Sequence, residues 1–135
     1  MIFITLLTTL VPIWSQTLNL DFDPNLQQSI LEGKKTATIR SKWRDGTNDL
    51  RDYTQNDGSG YAVFPNGKRI ALTIEYVDFI YYIWDEDNIT KATLKREGVA
   101  PSTDGFYNLL KSLQTFYPNM TVGDEVTVVY FHLKD

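Results

Sequence analysis

The chain has 135 residues, 42% apolar and 22% charged, which suits one domain with a modest core. Its formal net charge of -4 lacks the electrostatic footprint of a protein that grips long nucleic acid by its phosphates. The absence of cysteine excludes disulfides and thiolate chemistry, and a single histidine, His132, cannot build a histidine-rich zinc centre, so neither metal nor cofactor is expected.

Residues 1–14 carry no charged side chain and are mostly apolar, yet are too short to span a bilayer. They read as an apolar extension, either an added strand or a cleaved signal ending near Ser15. A cleaved signal would make the protein secreted, and the sequons at Asn88 and Asn119 would fit that location. The n-region has no lysine or arginine, so the expected location is the cytoplasm, with no membrane partner. Residues 15–135 form the single expected domain.

Leu18, Leu20 and Phe22 alternate with polar residues, which predicts a half-buried strand. Asp23 is a natural N-cap, and Pro24 fits the first position of a helix whose face would carry Leu26, Ile30 and Leu31. Gly33 stops that helix. A strand is predicted from Lys35 to Arg40, followed by a long loop over 41–60 that holds Trp43 and Tyr53. Pro65-Asn66-Gly67 marks a hairpin between two apolar runs. The second run alternates through Ile70, Leu72, Ile74 and Tyr76, then becomes continuous beyond Val77, where a bulge is expected.

Asn88 or Thr90 is placed to cap a short helix ending at Gly98. Pro101-Ser102 precedes another, with Phe106, Leu109, Leu110 and Leu113 on one face. A closing strand runs through Val126, Val128, Tyr130 and His132, with both faces largely apolar. Strands interrupted by a few short helices predict an α+β domain built on a small curled sheet or barrel.

Chemistry concentrates in Gly33-Lys34-Lys35-Thr36-Ala37-Thr38-Ile39-Arg40. A lysine close to a threonine hydroxyl is a base and nucleophile pair, provided the amine is neutral. In a regular strand Lys35 and Thr38 face opposite ways, because an odd number of positions separates them. They converge only if Lys35 belongs to the turn after Gly33 or the strand is bulged. From spacing alone, a solvated Lys35 and two ordinary strand threonines describe the segment better. Lys34, Lys35, Arg40, Lys42 and Arg44 form a local basic run, which by itself describes a solvated surface.

The segment Ile30-Leu31-Glu32-Gly33-Lys34-Lys35-Thr36-Ala37-Thr38-Ile39-Arg40 resembles the signature of ASCH domains, an RNA-associated superfamily with a PUA-like barrel. Leu72-Thr73-Ile74-Glu75, Glu97 ahead of Leu109-Leu110-Lys111, and Tyr117-Pro118 before Val129-Tyr130-Phe131 agree in order, so the likeness covers roughly 17 to 133. Within the superfamily the chain is most similar to the small bacterial N4-acetylcytidine amidohydrolases. The resemblance implies an α+β, PUA-like small β-barrel, a curled mixed sheet with two or three short flanking helices. It also implies that Lys35, Thr38 and Glu97 are catalytic and release acetate from an acylated pyrimidine nucleoside.

Arg40, Lys34, Trp43 and Tyr61 are the expected substrate contacts, the two aromatics by stacking on a flat pyrimidine. Lys34 and Arg40 are also the cations expected to keep the Lys35 amine neutral. The chain departs from the family where Asp57-Gly58-Ser59-Gly60-Tyr61 replaces a Gly-Asp-Val turn, and where the loop at 41–60 is long. The expected partner is a small nucleoside met by a monomer. Two competing functions are an RNA-binding ASCH module without turnover and an ASCH-type ribonuclease.

Overall fold

The computed structural model describes residues 17–41, 44–45, 48–50, 58–82 and 88–135. The expectations for residues 1–14, Lys42, Trp43 and Tyr53 lie outside these residues. Strand β1 (Leu18–Asp21) leads through a 3-10 turn (Pro24–Leu26) into helix α1 (Gln27–Leu31). Then come β2 (Ala37–Ser41), two short strands β3 (Arg44–Asp45) and β4 (Asn48–Asp49), β5 (Gly58–Val63) and β6 (Arg69–Tyr81). Helices α2 (Lys91–Glu97) and α3 (Thr103–Leu113) precede β7 (Glu125–Leu133).

The main sheet has five strands in the order β1-β5-β6-β7-β2. Only β1 and β5 run parallel; the other neighbours are antiparallel. This is the mixed sheet expected, and its curl is visible at its edges. Arg40 on edge strand β2 donates from Nη2 to the carbonyl oxygen of Asp21 on edge strand β1, at 2.8 Å. One guanidinium therefore spans the two edges of an open half-barrel.

The alternation along β7 divides the core. Val129 and Phe131 join Leu18, Leu20, Phe22, Ile30, Leu72 and Ile74 in one apolar cluster. Val126, Val128 and Tyr130 join Ala37, Ile39, Leu94, Phe106 and Tyr82 in the other, under α2 and α3. Strand residues of period two thus bury both faces, which is why β7 carries so little polar sequence.

Most predicted elements form as the sequence indicates, with local shifts. Asp23 accepts from the Asn25 amide at 3.0 Å, with Pro24 beginning the turn. Asn66 Oδ1 accepts from the Lys68 amide, and Gly67 has φ 85, completing the hairpin. The N-caps of α2 and α3 are Thr90 and Ser102.

Four expectations change. Strand β2 starts at Ala37, because the Lys34 and Lys35 amides both donate back to the Ser29 carbonyl and prolong the turn. Leu31 is exposed, because Leu26 and Ile30, four apart, define the buried face and Leu31 falls about 100° beyond it. The bulge lies between Ile74 and Tyr76, ahead of Val77, and leaves Glu75 as the extra residue. Within the expected loop, β3 and β4 pair with each other, and Leu50 is fully buried. Among the described residues no helix is long and apolar enough to cross a membrane.

Candidate active site

The turn after α1 delivers Lys35 to the end of α2. The Lys35 amine donates to a Glu97 carboxylate oxygen, Oε2, and its Nζ also lies 3.5 Å from the Glu97 backbone carbonyl oxygen. Both residues are buried, with relative exposures of 6% and 5%. Gly98 caps α2 with φ 84, a backbone conformation that favours glycine. A Cβ there would lie 3.4 Å from Ser29 Oγ and 3.7 Å from Lys35 Cβ, so the glycine also allows the helix end to pack closely on the turn.

The second carboxylate oxygen, Glu97 Oε1, is buried and has no hydrogen-bond partner among the described residues. An unpaired buried acceptor is costly, and such atoms in folded proteins call for an explanation. The Glu97 carboxylate also acts on Tyr82. Burial first, and that negative charge second, push the Tyr82 phenol well above its ordinary value. The phenol stays protonated and donates to the Phe106 carbonyl oxygen at 2.9 Å.

Thr38 and Arg40 form a second buried pair. They lie opposite Val129 and Thr127 of β7, so they share the face that holds the first apolar cluster. Arg40 Nε donates to Thr38 Oγ1 at 3.1 Å, and its guanidinium lies over the Phe22 ring at 5.0 Å. Among the described residues no hydrogen bond joins Thr38 to Lys35 or Glu97. The structure thus presents two buried pairs, Lys35 with Glu97 and Thr38 with Arg40, with Lys35 and Thr38 three positions apart in the chain.

The other expected contacts lie elsewhere. Lys34 is exposed and pairs with Glu32 at 3.3 Å. With Arg40 bound to Thr38 and Asp21, neither expected cation is the charge in contact with the Lys35 amine; that charge is Glu97. The Tyr61 ring is covered by the Arg69 guanidinium at 4.0 Å, and Arg69 also donates to Asn19 Oδ1. Tyr61 pairs in register with Asn19 and Ala71, on the face of β5 away from the core. Trp43 lies outside the described residues.

Sequence reasoning missed the polar cluster beside the site. Arg96 Nε donates to Thr36 Oγ1 at 2.9 Å, and the Arg96 guanidinium forks onto Glu75 at 3.2 and 2.7 Å. His132 Nδ1 is 3.0 Å from the same Glu75 carboxylate. The available signal was positional: Arg96 and Thr36 are the chain neighbours of Glu97 and Lys35. Among the described residues no group of three or more acidic or histidine side chains is placed to hold a metal ion.

No family model and no curated protein matches this chain. Solved structures do. An ASCH domain from Lactobacillus crispatus superposes with a TM-score of 0.64 at 13% identity, covering 97% of this chain and 90% of that one. A protein from Enterococcus faecalis gives 0.54 at 13% identity, covering 82% and 71%. A point mutant of an ASCH protein from Zymomonas mobilis gives 0.52 at 12% identity, covering 86% and 68%. A curled mixed five-stranded sheet with short helices, shared with these structures over most of their length, gives this chain the α+β, PUA-like fold of the ASCH domains.

Proposed function

We propose that the protein is a member of the ASCH superfamily that acts as an amidohydrolase, removing the acetyl group from N4-acetylcytidine or a related acylated pyrimidine nucleoside. The observation that carries this proposal is the buried Lys35–Glu97 contact, with one Glu97 oxygen left unpaired, three residues before a buried threonine hydroxyl. A lysine amine and a carboxyl group in a low-dielectric setting can pass a proton between them with no change in their summed charge.

In the proposed reaction Lys35 first passes a proton to Glu97, and the amine so neutralised takes the Thr38 hydroxyl proton as Thr38 Oγ1 bonds to the acetyl carbon. The carbon–nitrogen bond then breaks, and protonated Glu97 gives its proton to the departing exocyclic nitrogen. Water cleaves the acetyl-threonine ester, releasing acetate and restoring both groups. Arg40 Nε, already donating to Thr38 Oγ1, favours negative charge on that oxygen. The first step requires the Lys35 amine to reach Thr38 when substrate is bound, and catalytic contacts commonly tighten at that stage. Glu97 Oε1 is an acceptor suited to an exocyclic N–H.

The test is chromatography of N4-acetylcytidine incubated with the wild type and with Thr38→Val. Cytidine and acetate appearing only with wild type supports the proposal. No turnover, together with salt-sensitive binding of structured RNA, replaces it with a reader of nucleotides.

A further inference from the structure

We infer that Arg96 is a positioning residue that holds Lys35 against Glu97 by clamping Thr36 from two sides. Its consequence for rate rests on the proposed hydrolase activity; its consequence for the Lys35–Glu97 contact does not. Arg96 immediately precedes Glu97, and Thr36 immediately follows Lys35. The Thr36 amide donates to the Arg96 carbonyl oxygen, while Arg96 Nε donates back to Thr36 Oγ1 at 2.9 Å. These reciprocal hydrogen bonds tie together the chain neighbours of both members of the buried pair.

The rest of the guanidinium is equally committed. Its two terminal nitrogens fork onto the Glu75 carboxylate, and Nη2 also donates to the Phe131 carbonyl oxygen at 3.1 Å. Its plane lies over the Tyr130 ring at 4.9 Å, and Tyr130 is itself stacked on Tyr76 at 4.5 Å. Glu75 is the extra residue of the β6 bulge, and a bulge re-aims a side chain out of the regular pleat. The arginine thus refers the end of α2 to β6, to β7 and to the segment entering β2.

That reference matters because α2 spans only Lys91–Glu97, and so short a helix is marginal without tertiary support. Glu97 is its last residue, where fraying begins. Part-exposed ion pairs such as Arg96–Glu75 contribute little to global stability. Their value here is geometric: a shift of about 1 Å in a reacting group can cost on the order of 10²-fold in rate. A lysine at position 96 lacks the planar fork and cannot satisfy Thr36, Glu75 and Phe131 together.

The test labels lysines by reductive methylation of the folded full-length chain and reads each site by peptide mass spectrometry. Lys35 is expected to be protected in wild type while Lys34 reacts. Arg96→Ala and Thr36→Val should each raise Lys35 labelling several-fold, with Lys91 and Lys111 unchanged. Thr36→Ser, which keeps the hydroxyl, should restore protection. With N4-acetylcytidine as substrate, Thr36→Val should lower kcat and leave KM unchanged, and Thr36→Ser should recover kcat.

If Arg96→Ala does not fold, Thr36→Val decides the matter, since it removes one hydroxyl at nearly constant volume. Equal Lys35 protection in wild type and the folded variants overturns the clamp. Increased Lys35 labelling in a protein that never hydrolyses acetylcytidine leaves the clamp standing and removes the hydrolase proposal instead.

Discussion

The Lys35 amine is hydrogen-bonded to the Glu97 side chain across 62 positions of sequence, and both groups are almost fully withdrawn from solvent. Burying opposite charges is expensive, and their mutual attraction repays it only in part. A pair of this kind is a poor device for stability alone.

Separate removal of each partner tests this. Lys35→Ala should destabilise the protein by about 3–5 kcal/mol, because it strands the Glu97 carboxylate. The double change Lys35→Met with Glu97→Leu should unfold at or above the wild-type denaturant midpoint while showing no deacetylation. Chemical denaturation and cytidine release measure the two quantities independently. A double variant much less stable than wild type would mean the pair serves the fold itself.

Thr38 is predicted to be the nucleophile. Thr38→Val keeps the branched shape in β2 and removes only the hydroxyl, so the expected loss is on the order of 10³-fold or more in kcat, with a stability cost of about 1–3 kcal/mol because the buried Arg40 Nε loses its acceptor. Thr38→Ser should keep measurable turnover. Trapping an acetylated Thr38 peptide by acid quench during turnover would identify the intermediate directly.

Arg40 joins the sheet edges through Asp21 and holds the Thr38 hydroxyl. Arg40→Leu should therefore cost both stability and activity. Losing the part-buried bond to the Asp21 carbonyl costs on the order of 1 kcal/mol, since water can replace the donor there. Hydrogen exchange should accelerate at β1 and β2 more than at the central strands β6 and β7. Uniform acceleration across the sheet would show that the edges are held by other contacts.

Glu75 gives a pH dependence whose sign is set by its partners. Burial works to raise its carboxyl, but hydrogen bonds and charges from Arg96 and His132 outweigh that effect, so it titrates below its ordinary range. A depressed folded value adds stability that is fully present above the unfolded carboxylate value of about 4.3. That stability is lost as pH falls through the depressed folded value. Glu75→Gln should lower stability at pH 7 and flatten its decline between about pH 5 and pH 3. Urea midpoints across that range for both proteins provide the check.

The local elements were readable because their causes are local. Asp23-Pro24 begins a helical segment, Asn66-Gly67 closes a hairpin, and Ser102 caps α3, each through hydrogen bonds within a few residues. The alternation in β7 likewise announced a strand buried on both sides. The motif around Lys35 could be singled out, but its geometry could not. Strand parity placed Lys35 and Thr38 on opposite faces, and whether Lys35 belonged to the strand depended on backbone bonds to Ser29 that spacing does not encode.

Tertiary structure alone decided which partners met. Glu97 at a helix end looked like a surface residue until α2 packed over β2 and β7. Tyr61 looked like a pocket residue until Arg69 covered it. The bulge at Glu75 and the meeting of Arg40 with Asp21 depend on strand register and sheet curl. Sequence determines periodicity, caps and turns through short-range forces, whereas the burial of a charge and the choice of its counter-charge follow only when distant segments share one low-dielectric interior.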